Sequence, residues 1–170
     1  VEDMLGFVPN VFAVMAESEP SLRAFIQLNT QLSESGFDAT ERELIQTVVS
    51  VENQCSYCVA GHTTFAHMQD VDADIIEAAR NMQPVKTAKL EALQQFTLAL
   101  TRSKGTVEAE PVKQFFDAGY TSAQALEVIL GICVKTFSNL SNSLIGIPLD
   151  DEFAENAWDP RVLADQHQAA

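Results

Sequence analysis

The stretch CSYCVAGH, from Cys55 to His62, contains the residue types best suited to chemistry. At about 100° per residue, Cys55, Cys58 and His62 fall within about 60° of arc on one face of a helix. If that helix begins at Cys55, both thiols lie in its first turn, where free N–H groups and the helix dipole lower the pKa of a thiol. The spacing therefore favours a nucleophilic thiolate with an imidazole one turn away that exchanges protons with it.

Glu43 is the candidate for a third group in this arrangement. If the preceding helix folds back antiparallel, Glu43 lies about 15 Å before the bend and His62 about 10 Å beyond it. A carboxylate there would orient the imidazole and raise its basicity. The pattern alone favours another role, in which Thr40 caps the helix and Glu43 completes a capping box. One conformation of the carboxylate does not serve both roles.

Metal chemistry is disfavoured by the ligands that the sequence lacks. The Cys55/Cys58 pair could be half of a zinc site, but there is no second cysteine pair, and His67 points about 140° away from His62. Covalent haem attachment needs a histidine directly after the second cysteine, where this chain has Val59. Iron–sulfur clusters generally need four cysteines. We therefore expect no metal or other cofactor, and redox chemistry is the favoured interpretation.

The composition excludes several classes of partner. The chain has 170 residues, 24 acidic against 10 basic side chains and a net charge of −14, which disfavours nucleic acids and anionic membranes. No signal peptide is visible, and no run approaches the roughly 18 apolar residues that would span a bilayer. With only three cysteines, the chain is expected in a reducing compartment, the cytoplasm. Cys133 is interpreted as a small buried hydrophobe without reactivity.

Apolar spacings of three and four residues predict an all-α protein of about eight helices in one domain, residues 1–170. The residues from 150 to 170 are acidic and polar, and are predicted to form a peripheral C-terminal tail that includes His167. Gly105 is expected to end the third-last helix. The predicted helices begin near Asn10, Pro20, Thr40, Cys55, Asp72, Val85, Glu108 and Thr121.

The segment ERELIQTVVSVENQCSYCVAGH resembles the superfamily of alkylhydroperoxidase AhpD and carboxymuconolactone decarboxylase, within a motif core at 38–68. Its signature is a glutamate, eleven residues and C-x₂-C-x₃-H, which Glu43, Cys55, Cys58 and His62 match. The resemblance implies an all-helical bundle that assembles into dimers, trimers or hexamers. It also implies an antioxidant oxidoreductase that reduces small organic hydroperoxides. Cys58 would be the peroxidatic thiolate, Cys55 the resolving thiol, and His62 with Glu43 the proton relay.

The same resemblance implies that an external dithiol, such as a lipoylated protein, reduces the Cys55–Cys58 disulfide. One departure concerns Tyr57, because characterised AhpD proteins carry a histidine between the cysteines; a tyrosine donates a hydrogen bond but is no base near neutral pH. Two other functions stay open. One is a lyase of the decarboxylase branch, with acid–base work by His62 and Glu43. The other is a non-enzymatic oligomer whose dithiol senses redox state.

Overall fold

The fold is built from helices that surround one central helix. The computed structural model describes residue 2 and the ranges 6–103 and 106–163, and no β-strand occurs within them. Eight α-helices lie wholly inside these residues, which confirms the all-α class. They are α1 (Asn10–Met15), α2 (Glu19–Ser33), α3 (Ala39–Glu52), α4 (Ser56–Met68), α5 (Ala73–Arg80), α6 (Ala88–Arg102), α7 (Ala109–Asp117) and α8 (Ser122–Ile145), followed by a 3₁₀ helix (Asp151–Asn156).

The start of α3 differs from the prediction in a way that matters for the site. Asp38, not Thr40, caps the helix: its side chain accepts from the Glu41 backbone N–H at 2.8 Å. The Glu41 carboxylate accepts from the Asp38 N–H at 3.1 Å, which completes a capping box two residues earlier than expected. The prediction was wrong because both registers satisfy the same spacing. Glu43 is thereby left free for another partner.

The central helix is α3, which packs against α4, α5, α6 and α8. Four of its apolar side chains are completely buried, as expected of a helix covered on all sides; they are Leu44, Ile45, Val48 and Val49. Helix α8 approaches α3 closely at Gly131, where a Cβ atom would lie only 2.8 Å from Ile45 Cγ2. A glycine at this position therefore brings the next turn of α8 close to α3 and α4.

Three residues of the predicted peripheral tail belong to the core, so that prediction is wrong for Asp150, Phe153 and Trp158. Phe153 is 1% exposed, and Asp150 and Trp158 are also buried. The ring of Phe153 lies against α4 at Gly61, where a Cβ would come within 3.1 Å of it. The acidic composition hid these two apolar anchors, because most of their neighbours are exposed. His167 and the predicted helix end at Gly105 lie outside the described residues.

By length and composition alone, helix α8 could cross a membrane. A buried core helix meets the same two criteria, so this is weak evidence for a membrane span. The inward side chains of α8, among them Val128 and Val134, are completely buried against the other helices. Cys133 is exposed, contrary to the prediction of a buried hydrophobe. The reason is its place on the helix: Val134 and Lys135 face the core, and Cys133 lies on the opposite side.

Candidate functional site

The two cysteines lie at the N-terminus of α4, as the sequence predicted. Cys55 is the N-cap residue, and its sulfur accepts a hydrogen bond from the Cys58 backbone N–H at 3.4 Å. The turn before it passes through Gln54, whose φ of 54° lies in the left-handed region and reverses the chain after α3. Both thiols are free and buried. The first turn of α4 thus places the pair close together, with the N-terminal end of the helix dipole beside it.

The environment of Cys58 favours the thiolate. Its pKa is lowered from 9.0 to about 6, mainly by a hydrogen bond from the Cys55 thiol, with further contributions from the charge of Lys135 and from Asn139 and Ser138. Burial acts in the opposite direction. Ser138 Oγ lies 3.9 Å from Cys58 Sγ. The hydrogen bond to Cys58 and burial both raise the pKa of Cys55. The pair is therefore divided into one thiolate, Cys58, and one thiol, Cys55.

Glu43 and His62 are in direct contact, as the antiparallel arrangement of α3 and α4 requires. Glu43 Oε2 lies 2.7 Å from His62 Nδ1. The other carboxylate oxygen, Oε1, accepts a hydrogen bond from Gln69 Nε2 at 2.9 Å. Both residues are buried. A carboxylate in this position accepts the proton of Nδ1 and fixes the tautomer of the ring, so that Nε2 carries the free lone pair.

The second ring nitrogen of His62 points to a lysine, not to a cysteine. Lys135 Nζ, from α8, lies 2.5 Å from His62 Nε2 and is buried. Burial is the main cause that lowers the pKa of both His62 and Lys135. The negative charges of the Cys58 thiolate and the Glu43 carboxylate act against this and raise the pKa of Lys135. The buried groups Glu43, His62 and Lys135 thus form a continuous chain that leads toward the thiols.

Lys135, Ser138 and Asn139 are not among the candidate site residues predicted from the sequence. Asn139 is buried beside Cys58, and its amide also lies 3.5 Å from Ser50 Oγ. A signal for Lys135 was present in the sequence, because it is the only charged residue in the 18 positions from Val128 to the end of α8. A lone charge on the inward face of an apolar helix is expensive to bury without partners.

Tyr57, between the two cysteines, holds other segments in place. Its hydroxyl donates to Asp150 Oδ2 at 2.6 Å and accepts from the Val11 N–H at 3.1 Å. Burial and the bond to Asp150 raise its pKa, so it stays protonated near neutral pH. Asp150 also accepts from the Asn10 N–H at 2.9 Å. Tyr57 therefore connects the start of α1 and the C-terminal segment to the helix that carries the thiols.

The surroundings of the thiols are apolar and aromatic. The two cysteines belong to one buried cluster with Phe25 and, at its edge, Phe12 and Phe137. The Phe25 ring centroid is 5.4 Å from that of Phe12 and 6.0 Å from that of Phe137. Cys55 and Cys58 are each only 4% exposed. In the part of the chain that the structure describes, no group of three or more His, Cys, Asp or Glu side chains is placed to hold a metal ion.

The lowered pKa of Cys58 predicts a specific dependence of thiol alkylation on pH. Because the pKa of Cys58 is lowered to about 6, its thiolate dominates above that pH, and its alkylation rate should be half-maximal near it. The measurement is the iodoacetamide rate at Cys58 between pH 4 and 10, followed by peptide mass spectrometry and normalised to its plateau, with free cysteine as the control. A rate still climbing steeply between pH 7 and 9 would contradict the prediction.

Comparison with known proteins places this site in a family context. Residues 19–98 match the sequence pattern of the carboxymuconolactone decarboxylase family. No curated protein sequence matches the chain. Among solved structures, it resembles an alkylhydroperoxidase AhpD core, a peroxidase-related protein from Ralstonia eutropha JMP134, with 27% identity and a TM-score of 0.80 over 89% of this chain and 82% of that one.

Two further structures share the fold. A peroxidase-related protein from Silicibacter sp. TM1040 is 23% identical, with a TM-score of 0.78 over 89% of this chain and 82% of that one. The debrominase Bmp8 is 19% identical, with a TM-score of 0.80 over 95% of this chain and 87% of that one. At these identities the likeness shows the fold alone. Because Bmp8 is a debrominase, this fold also supports chemistry other than peroxide reduction.

Proposed function

Because the chain belongs to the AhpD/carboxymuconolactone decarboxylase superfamily, we propose that it is a thiol-dependent peroxidase that reduces small organic hydroperoxides through a Cys55–Cys58 dithiol/disulfide cycle. The observation that carries the proposal is the division of the buried pair at the start of α4. Cys58 is held as a thiolate by hydrogen bonds and a nearby cation, while Cys55 keeps its proton. Peroxidatic and resolving cysteines need these two different states.

The cycle has two chemical steps and a reduction. The Cys58 thiolate attacks the terminal oxygen of the hydroperoxide; the S–O bond forms, the O–O bond breaks, and the alkoxide takes up a proton and leaves as the alcohol. The sulfur of Cys55 then attacks the sulfenic acid on Cys58, a disulfide forms and water leaves. An external dithiol, which we take to be a small dithiol or a lipoylated protein, returns the disulfide to two thiols by exchange.

In this proposal Glu43 and His62 form the proton relay of the site. The 2.7 Å contact between them supports this role, since a buried carboxylate keeps the imidazole oriented and able to carry a proton. The apolar cluster around the thiols supports an organic substrate, because an alkyl or aryl group is more easily desolvated there than a charged one.

The proposal includes the setting in which the cycle runs. A dithiol cycle needs a reducing compartment, for which we propose the cytoplasm. We also propose that the chain works as a homo-oligomer, which the superfamily implies and which exposed side chains along α8 support: Leu126, Leu140 and Leu144 are 69%, 64% and 85% exposed. The net charge of −14 supports the absence of a nucleic-acid partner.

The proposal predicts a direct reaction of the reduced protein with peroxide. Mixing it with an equimolar amount of cumene hydroperoxide should remove about 2 Da from the intact mass, because disulfide formation removes two thiol hydrogens. Intact-mass spectrometry over seconds to minutes measures this, and the cumyl alcohol released should equal the disulfide formed.

The control is the same protein alkylated with iodoacetamide before mixing, which should release no alcohol. A lyase of the decarboxylase type would keep its activity after alkylation. A protein whose mass stays unchanged for hours, with both thiols still titratable, would contradict the peroxidase proposal.

A further inference from the structure

We propose that Lys135 is the member of the proton relay that exchanges protons directly with Cys58 and Cys55 during the dithiol cycle, and that Glu43 and His62 act on the thiols through Lys135. The inference rests on the proposed function for its chemical steps. The contacts that carry it belong to the reduced protein and can be tested without peroxide.

His62 has no free nitrogen for a thiol. Nδ1 is bound to Glu43 Oε2 at 2.7 Å, and Nε2 is in contact with Lys135 Nζ at 2.5 Å. Because the carboxylate accepts the Nδ1 proton, the lone pair of Nε2 accepts a hydrogen bond from the lysine ammonium. The imidazole therefore reaches the thiols only through Lys135.

Lys135 lies on the face of α8 that is turned toward the thiols. Residues three and four apart lie on the same helix face, which places Lys135 together with Ser138 and Asn139. Both of these hydrogen-bond to Cys58, with Ser138 Oγ at 3.9 Å from the sulfur. The lysine thus lies one helical turn from the groups that contact the peroxidatic sulfur, on the same face.

The charge of Lys135 is coupled to the charges of the groups around it. The groups that act on Lys135 are Glu43 from α3, His62 and Cys58 from α4, and Cys55 at the N-cap of α4. A buried cation is retained only where anions compensate it, and these are the Glu43 carboxylate, reached through His62, and the Cys58 thiolate. The same cation lowers the pKa of Cys58 and opposes the rise in the pKa of Cys55. Lys135 is thus electrostatically coupled to both sulfurs that change protonation.

The proton count of the cycle balances when Lys135 takes part in both peroxide cleavage and disulfide formation. As the Cys58 thiolate breaks the O–O bond, the ammonium of Lys135 gives a proton to the departing alkoxide and becomes a neutral amine. As the sulfur of Cys55 attacks the sulfenic acid, the amine accepts the Cys55 proton and passes it to the departing hydroxide, which leaves as water. The disulfide state then contains a neutral Lys135. The reducing dithiol supplies two protons, one for Cys55 and one for Lys135.

The test compares Lys135→Met, which removes the charge, with Lys135→Arg, which keeps the charge but does not release a proton at working pH. In Lys135→Met, the half-maximal pH of Cys58 alkylation should rise from about 6 toward that of an ordinary thiol. If the pKa of Cys58 rises from about 6 to about 8, the thiolate fraction at pH 7 falls from about 90% to about 10%, so alkylation at pH 7 should fall about tenfold. Lys135→Arg should keep a midpoint near the wild type and still lose at least about tenfold in peroxide reduction.

Lys113→Met is the matched control, because Lys113 is exposed and pairs only with Asp117 and other surface groups; it should change neither readout. Circular dichroism verifies folding, and Lys135→Arg alone tests proton transfer if Lys135→Met does not fold. A Lys135→Met midpoint within about 0.3 pH units of wild type, or wild-type peroxide turnover in Lys135→Arg, would overturn the inference. If the wild-type protein does not react with peroxide but Lys135→Met still shifts the half-maximal pH of Cys58 alkylation, the peroxidase proposal fails and the lysine–thiolate coupling stands.

Discussion

Cys58→Ser is expected to abolish hydroperoxide reduction, whereas Cys55→Ser is expected to leave one reaction per chain. A serine hydroxyl at position 58 would stay protonated and un-nucleophilic at neutral pH, so the rate should fall by at least about 10³-fold. Without Cys55, the thiolate still attacks but no resolving thiol follows. Because the Cys55 thiol also gives the largest contribution to the lowered pKa of Cys58, the first reaction in Cys55→Ser should be slower than in wild type.

The measurement is intact mass after one equivalent of cumene hydroperoxide. Cys55→Ser should gain about 16 Da as a sulfenic acid that dimedone traps, and Cys58→Ser should gain nothing. Cys133→Ser is the matched control and should behave like wild type, because Cys133 is exposed on the outer face of α8. Repeated turnover by Cys55→Ser with a dithiol donor would show that Cys55 is not the resolving thiol.

The contact between Glu43 and His62 could be anticipated from the sequence because it depends on local geometry. Two consecutive helices joined by a short turn run antiparallel, so residues at similar distances from the turn come together. The observed 2.7 Å contact agrees with that estimate. The competing capping-box assignment failed for an equally local reason: Asp38 and Glu41 satisfy the same pattern. A box can be placed two residues earlier without changing the rest of the helix.

Lys135 could not be placed from the sequence, because its contact with His62 joins residues 73 positions apart. That contact depends on how closely α8 packs on α3, which the absence of a Cβ at Gly131 allows. Spacing within a single helix carries no information on such tertiary distances. The sequence does mark the residue indirectly, since a lone lysine in a long apolar helix requires a buried anion or an exit to solvent.

The C-terminal segment shows how composition can mislead. Residues 150–158 contain four carboxylates, which predicts a solvated periphery, but one of these, Asp150, is buried because Tyr57 and the Asn10 N–H donate to it. Arg80 holds the end of the segment by donating to the Asn156 carbonyl at 3.1 Å. Hydrogen bonds to a few specific atoms thus outweigh the average polarity of the segment.

Phe153→Ala is accordingly expected to destabilise the protein by about 3–5 kcal/mol, the usual cost of removing a buried phenylalanine ring. The ring is 1% exposed and packs edge-on against Phe7, Tyr57 and Phe65, with centroids 5.7, 5.7 and 5.4 Å away. It also covers α4 at Gly61. The cavity would therefore open beside the helix that carries the thiols, and Cys58 should become more accessible to alkylation.

Urea unfolding monitored by circular dichroism measures the loss of stability. Phe116→Ala removes the same ring from a position that is 41% exposed and should cost less than about 1 kcal/mol. If Phe153→Ala and Phe116→Ala unfold at the same urea concentration, the C-terminal segment does not stabilise the core. The Phe153 ring contacts both α4 at Gly61 and the Tyr57 side chain between the cysteines. A large loss of stability confined to Phe153→Ala, together with faster alkylation of Cys58, would therefore show that the segment shields the thiol pair from solvent as well as stabilising the fold.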